Sequence, residues 1–150
     1  MNWYQFTRSY ALLVGVAFTL AGIGGFVSFV TPPAPIDAPT LIIDTSYGLL
    51  LGLFPINLIH NLFHLAIGVF GLLAYRDLIP LRNFMRGFGI ILALLAILGM
   101  IPTANILGGY MPIYGHDVWL HGVEALVALG LGFLGSMQSR SMLTTPDGHP

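Results

Sequence analysis

Cysteine and lysine are both absent from this chain of 150 residues, and charged side chains make up only 7% of it, against about 25% in an average soluble domain. The missing cysteines exclude disulfides, thiolate metal sites and cysteine nucleophiles together. The missing lysines, with five arginines that form no basic cluster, exclude a phosphate-binding surface, so nucleic acid is not an expected partner. Six acidic and five basic residues, for a formal net charge of −1, are too few to keep the surface of a soluble domain solvated. What is present is apolar: 56% of the residues are hydrophobic and the mean hydropathy is +0.86. That composition suits a chain whose solvent is lipid.

Four apolar stretches, each near the roughly 20 residues that a helix needs to cross a bilayer, predict a single all-α integral membrane domain, a four-transmembrane-helix bundle. The spans are expected over about 10–30, 50–75, 80–101 and 112–137, the second beginning near Pro55 or, if that proline only kinks it, as early as Gly48, with an outer loop at 31–49 and a polar cytoplasmic tail at 138–150. The first span is too long for the apolar core of a signal peptide and is kept as a helix. Arg8 precedes the first span, Arg76, Arg82 and Arg86 lie between the second and third, and Arg140 follows the fourth. Both termini and the middle connection are therefore expected in the cytoplasm. Trp3, Tyr4, Phe6 and Tyr10, with Tyr110, Tyr114 and Trp119, stand where interfacial aromatic belts belong.

A weak internal duplication accompanies this pattern. Moving the fourth span back by 57 positions sets Pro112 on Pro55, His121 on His64 and Leu129 on Leu72; moving the third back by 74 sets Gly89 on Gly15 and Gly99 on Gly25. Chance is the alternative to a parallel 2+2 repeat with its pseudo-twofold axis along the membrane normal. The first outer loop, rich in proline, reads as a cap on the bundle, a partner contact or a spacer. Small residues that favour close helix approach include Ala17, Ala21 and Gly25, the Gly48-x-x-x-Gly52 spacing, and Ala125, Ala128 and Gly132.

Within so apolar a chain the polar residues of two spans stand out. Asn57, His60, Asn61 and His64 share one helical face, and Asp117, His121 and Glu124 follow i, i+4, i+7 spacing on another. Ionisable groups at such depth must face the bundle interior and find partners. The simplest account is polar adhesion, with His64 bonded to Asp117 or Glu124 and His60 to an asparagine. The sharper account is coordination. His60-x-x-x-His64 sets imidazoles on adjacent turns, and His121-x-x-Glu124 adds an imidazole and a carboxylate, a ligand set for Zn, Cu or Fe. Asn57, Asn61 and Asp117 are then expected to orient the rings, with His116 at the rim. Alternatively His64 and His121 are placed for axial ligation of a haem, or one histidine for a chlorophyll magnesium. Catalysis has less support: a carboxylate and three histidines could run proton transfer or metal-assisted hydrolysis, and Glu124 a proton path, but there is no nucleophile motif or phosphate loop and no catalytic residue is assigned.

The stretch Leu50-Leu-Gly-Leu-Phe-Pro-Ile-Asn57-Leu-Ile-His60-Asn61-Leu-Phe-His64-Leu-Ala-Ile-Gly68, followed by Asp117-Val-Trp-Leu-His121, resembles a family of small four-helix bacterial membrane proteins classed as a domain of unknown function, DUF4383. The long Pro-rich first loop and Tyr114 depart from its pattern. The resemblance implies the four-helix fold and a bacterial inner or internal (for example thylakoid) membrane, and no established activity. A binding or accessory subunit is expected, with membrane lipids and either a membrane-protein partner or further copies of the chain around it.

Overall fold

The computed structural model describes the backbone of residues 2–143 and the side chains of residues 2–134. Among these residues lie four long helices, α1 (Trp3–Gly24), α2 (Leu58–Tyr75), α3 (Leu81–Gly99) and α4 (His116–Leu143), and one short hairpin, β1 (Gly48–Leu50) with β2 (Phe54–Ile56). Each of the four is long and apolar enough to cross a membrane, α4 over His116–Leu134. Their outward faces carry exposed Leu13, Leu20, Val69, Leu94 and Leu126.

The boundaries follow local chemistry more closely than hydropathy. α1 starts at Trp3, seven residues before the expected Tyr10, because Asn2 and Gln5 form a capping box: Gln5 N donates to Asn2 Oδ1 at 2.8 Å and Asn2 N to Gln5 Oε1 at 3.2 Å. It ends at Gly24 rather than Val30, and the chain continues as tight turns through Thr31. Of the two expected starts of α2, the one near Pro55 lies three residues before the observed Leu58, and the earlier one near residue 50 is overturned. Leu51 and Gly52 take φ of +55° and +71°, which turns the chain into the hairpin instead of a helix, and Pro55 pairs with Leu49 as a strand residue. Gly48 and Gly52 thus belong to a hairpin and not to a helix–helix contact. α2 begins after Asn57, whose side chain accepts from His60 N. Expected limits 80–101 for α3 lie within two residues of those observed. The start of α4 moves from 112 to His116, behind Gly115 at φ +67°. Its backbone runs to Leu143, so residues 138–143 of the expected tail are helical, and 144–150 lie outside the described residues.

The helices pack as two antiparallel pairs, α1 with α2 and α3 with α4. Glycines permit the contact. Gly15 lies against the backbone of Leu72 and Gly22 against Leu65, while Gly25 faces the Asn61 carboxamide; in the second pair Gly89 lies against Leu129 and Gly99 against Ile113 and Val118. On α1 the close-approach stripe is therefore Ala11, Gly15, Gly22 and Gly25; Ala17 points outward. Ala125, Ala128 and Gly132 are buried on α4 as expected. A methyl group added at Gly71 would stand 2.8 Å from the Gly15 backbone, which cannot rotate away. Gly71→Ala is therefore expected to cost about 2 kcal/mol in detergent unfolding, whereas Gly87→Ala, with open space in front of it, is expected to gain up to about 1 kcal/mol through helix propensity. Across the pairs, Phe18 of α1 meets Phe88 of α3 edge to face at 5.3 Å.

The two ends of the bundle differ. At the end where α1 and α3 begin, Arg8 Nε donates to the Tyr75 carbonyl and Arg86 Nε to the Gly132 carbonyl, so each pair is closed by an arginine on a carbonyl of the last turns of its partner helix or the region just before them. At the other end the Pro-rich loop packs down as a cap. Leu49 N donates to Pro32 O, and Ile42 N and Ile43 N both donate to Gly109 O in the α3–α4 connection. Gly109 sits at φ +90° with Ile42 against it, a position that only glycine serves. Tyr47 and Tyr114 share a hydroxyl–hydroxyl hydrogen bond of 2.7 Å. Burial, aided by that bond, pushes the Tyr114 phenol above its ordinary pKa.

Candidate metal centre

Just beneath the cap, α2 and α4 present their polar faces to the interior. Asn57, His60, Asn61, His64, Asp117 and His121 are all buried. Three imidazoles come together: one ring nitrogen from each of His60, His64 and His121 lies within 4.8 Å of the others. The His60 and His64 rings are 4.4 Å apart and tilted by 49°, the i, i+4 spacing setting one above the other. His121 enters from α4 with its ring 6.0 Å from that of His60. Phe18 closes the far side, edge to face with His64 at 5.2 Å.

His60 is the best oriented. Its Nδ1 lies 3.2 Å from the Pro55 carbonyl; a carbonyl can only accept, so the proton sits on Nδ1 and the lone pair on Nε2. Asp117 Oδ2 stands 3.9 Å from the same Nδ1, both groups almost fully buried. That separation is too long for a hydrogen bond. His60 Nε2, His64 Nδ1, His121 Nδ1, Asp117 Oδ2 and Glu124 Oε2 are buried with no hydrogen-bond partner. Each such atom costs about 1–3 kcal/mol when left unpaired.

The remaining site residues divide. Glu124 does not join the three-imidazole group. His116 is exposed, its ring 6.3 Å from that of Phe54 and outside the cluster. Asn61 packs its carboxamide on Gly25, just past the end of α1, and makes no hydrogen bond to a ring. Asn57 touches His60 only through the backbone N–H; its Nδ2 donates to Ile43 O and Tyr110 O, both at 2.7 Å. It fastens the two loops of the cap to the start of α2, a role that its place on the polar face does not reveal. Pro55 O and Phe18 are contacts that residue type alone could not assign: a carbonyl is common to every residue, and an aromatic on an apolar face reads as core.

The arrangement of α2 and α4 around this cluster rests on the Asn57–Gly68 stretch and on Asp117–His121. A family described as a domain of unknown function, DUF4383, matches residues 8–134. The chain belongs to this family. The matched region takes in α2, α3 and every residue of the cluster. No curated protein and no solved structure matches the chain.

Proposed function

We propose that this DUF4383 chain is a multi-pass protein of a bacterial membrane that holds one transition-metal ion at His60, His64 and His121, as a binding or accessory subunit and not an enzyme. The observation that carries this reading is the convergence of three imidazoles, each with one buried ring nitrogen that has no hydrogen-bond partner. Three nitrogens bound to one zinc at about 2.1 Å stand roughly 3.4 Å apart, so closing from 4.8 Å asks for side-chain adjustments on the order of 1 Å. The Pro55 carbonyl and Asp117 would orient His60, and Glu124 or an outside ligand would complete a tetrahedral set.

Polar adhesion alone is less well supported, because it calls for hydrogen bonds between these side chains, and among the described residues none joins α2 to α4. A tetrapyrrole between His64 and His121 has less room, since the ring of His60 lies 4.4 Å from one and 6.0 Å from the other. The orientation proposed is that of the arginines: both termini and the α2–α3 connection in the cytoplasm, the capped end outside. The parallel repeat is supported by equivalent contacts. With shifts of 74 and 57 positions, Gly15 against Leu72 becomes Gly89 against Leu129, and Gly25 against Asn61 becomes Gly99 against Val118. His64 then corresponds to His121 and His60 to Asp117, two layers of facing residues on the pseudo-axis. A membrane-protein partner or a second copy would cover part of the lipid-facing surface.

Elemental analysis and an absorption spectrum of mildly solubilised protein test the assignment. One equivalent of Zn, Cu or Fe per chain and no Soret or Q band is the expected result. A metal-free protein that also refuses added zinc would overturn it.

A further inference from the structure

Above the cluster, at the capped end, a cavity of ≈ 390 Å³ opens between the Pro-rich loop, the hairpin and the start of α4. The residues that line it include Asp37, His116, Pro55 and Tyr114. Pro55 links this cavity to the cluster: it lines the cavity, is itself fully buried, and holds His60 Nδ1 on its carbonyl. His116 likewise adjoins Asp117, whose unpartnered Oδ2 lies 3.9 Å from that nitrogen. A single residue thus separates the cavity from the outermost imidazole.

The charge pattern of this end is one-sided. The connections 25–57 and 100–115 contain no arginine or lysine; their charged residues are Asp37 and Asp44. Arg8, Arg76, Arg82 and Arg86 all lie at or near the opposite end of the helices. Of the polar groups lining the cavity, one is a carboxylate and one an imidazole, both exposed. Those are the donors that divalent transition cations prefer, in a concave site that concentrates cations through its field.

We infer that this cavity is the loading port of the histidine cluster, where Asp37 and His116 capture a divalent transition cation from outside before it moves past Pro55 to the three imidazoles. The inference rests on the metal reading above, and adds where the ion comes from and what first binds it. The port is a kinetic device: the ion ends on three buried imidazoles, so removing the capture groups slows loading without changing what is finally bound.

The test follows Co²⁺ uptake by the full chain in detergent micelles at low ionic strength, using the visible absorption that cobalt gains on imidazole nitrogen. Asp37→Asn combined with His116→Ala is expected to load at least about tenfold more slowly than wild type and to reach the same final stoichiometry. That equal endpoint also shows the variant is folded. Ala38→Trp, which fills the cavity from its loop wall, is expected to slow loading in the same way. Wild-type rates in both variants would overturn the port while leaving the cluster assignment intact. A wild-type protein that takes up no cobalt would overturn the cluster assignment, and the port with it.

Discussion

His64→Ala and His121→Ala are each expected to weaken zinc binding by at least about 100-fold and to leave purified protein without stoichiometric metal. Groups that merely orient a ligand cost about 10- to 100-fold when removed, so losing one of three direct ligands exceeds that range. Competition against a chelating dye in micelles measures the change. Stability separates this from polar adhesion. The unpartnered nitrogens of both rings destabilise the metal-free protein, so His64→Leu, close in volume and without a buried polar atom, is expected to melt no lower than metal-free wild type. Retained zinc affinity in both alanine variants would refute the coordination reading, and a large drop in the melting temperature of metal-free His64→Leu would point to adhesion.

The largest loss of stability is expected at Asn57. Its side chain accepts from His60 N at 3.0 Å and donates to Ile43 O and Tyr110 O, and the residue is fully buried. Alanine removes a helix cap worth about 1 kcal/mol and strands two buried carbonyls worth about 1–3 kcal/mol each; because both carbonyls belong to loops that can relax towards solvent, the net cost is expected to be about 3 kcal/mol. Asn57→Asp keeps the acceptor but turns a carboxyl oxygen towards both carbonyls, so it is expected to cost at least as much as alanine. Denaturant unfolding in micelles reads the difference. A cost below about 1 kcal/mol for Asn57→Ala would mean that the cap is held by other contacts.

Asn57 also illustrates what a polar pattern conceals. Its spacing with His60, Asn61 and His64 correctly places all four in the interior, yet the four divide among three neighbours. The histidines turn to the centre, Asn61 to Gly25 just past the end of α1, and Asn57 to the backbone of two loops. Helical periodicity assigns a face about 100° wide, and that width spans more than one neighbour. Glu124 lies on the same periodic face as His121 and still stands outside the imidazole group. The start of α2 was obscured for a related reason. An apolar run is compatible with both helix and buried hairpin, and the decisive features, positive φ at Leu51 and Gly52 and a cap at Asn57, are local. The Asn2–Gln5 capping box that extends α1 falls among aromatic residues that read equally well as an interfacial flank.

Hydropathy and residue spacing were sufficient by themselves to establish four apolar helices and a buried patch holding His60, His64 and His121. Those properties depend on solvent and on helical geometry, which act on each segment separately. Only the tertiary structure decided which helices pair, that the Pro-rich loop is a cap, that three imidazoles converge without Glu124, and that a cavity stands over them. Each of those depends on where a glycine lets one backbone meet another, or on which carbonyl a buried donor reaches. Such contacts join residues far apart in the chain and leave no trace in the periodicity of either segment.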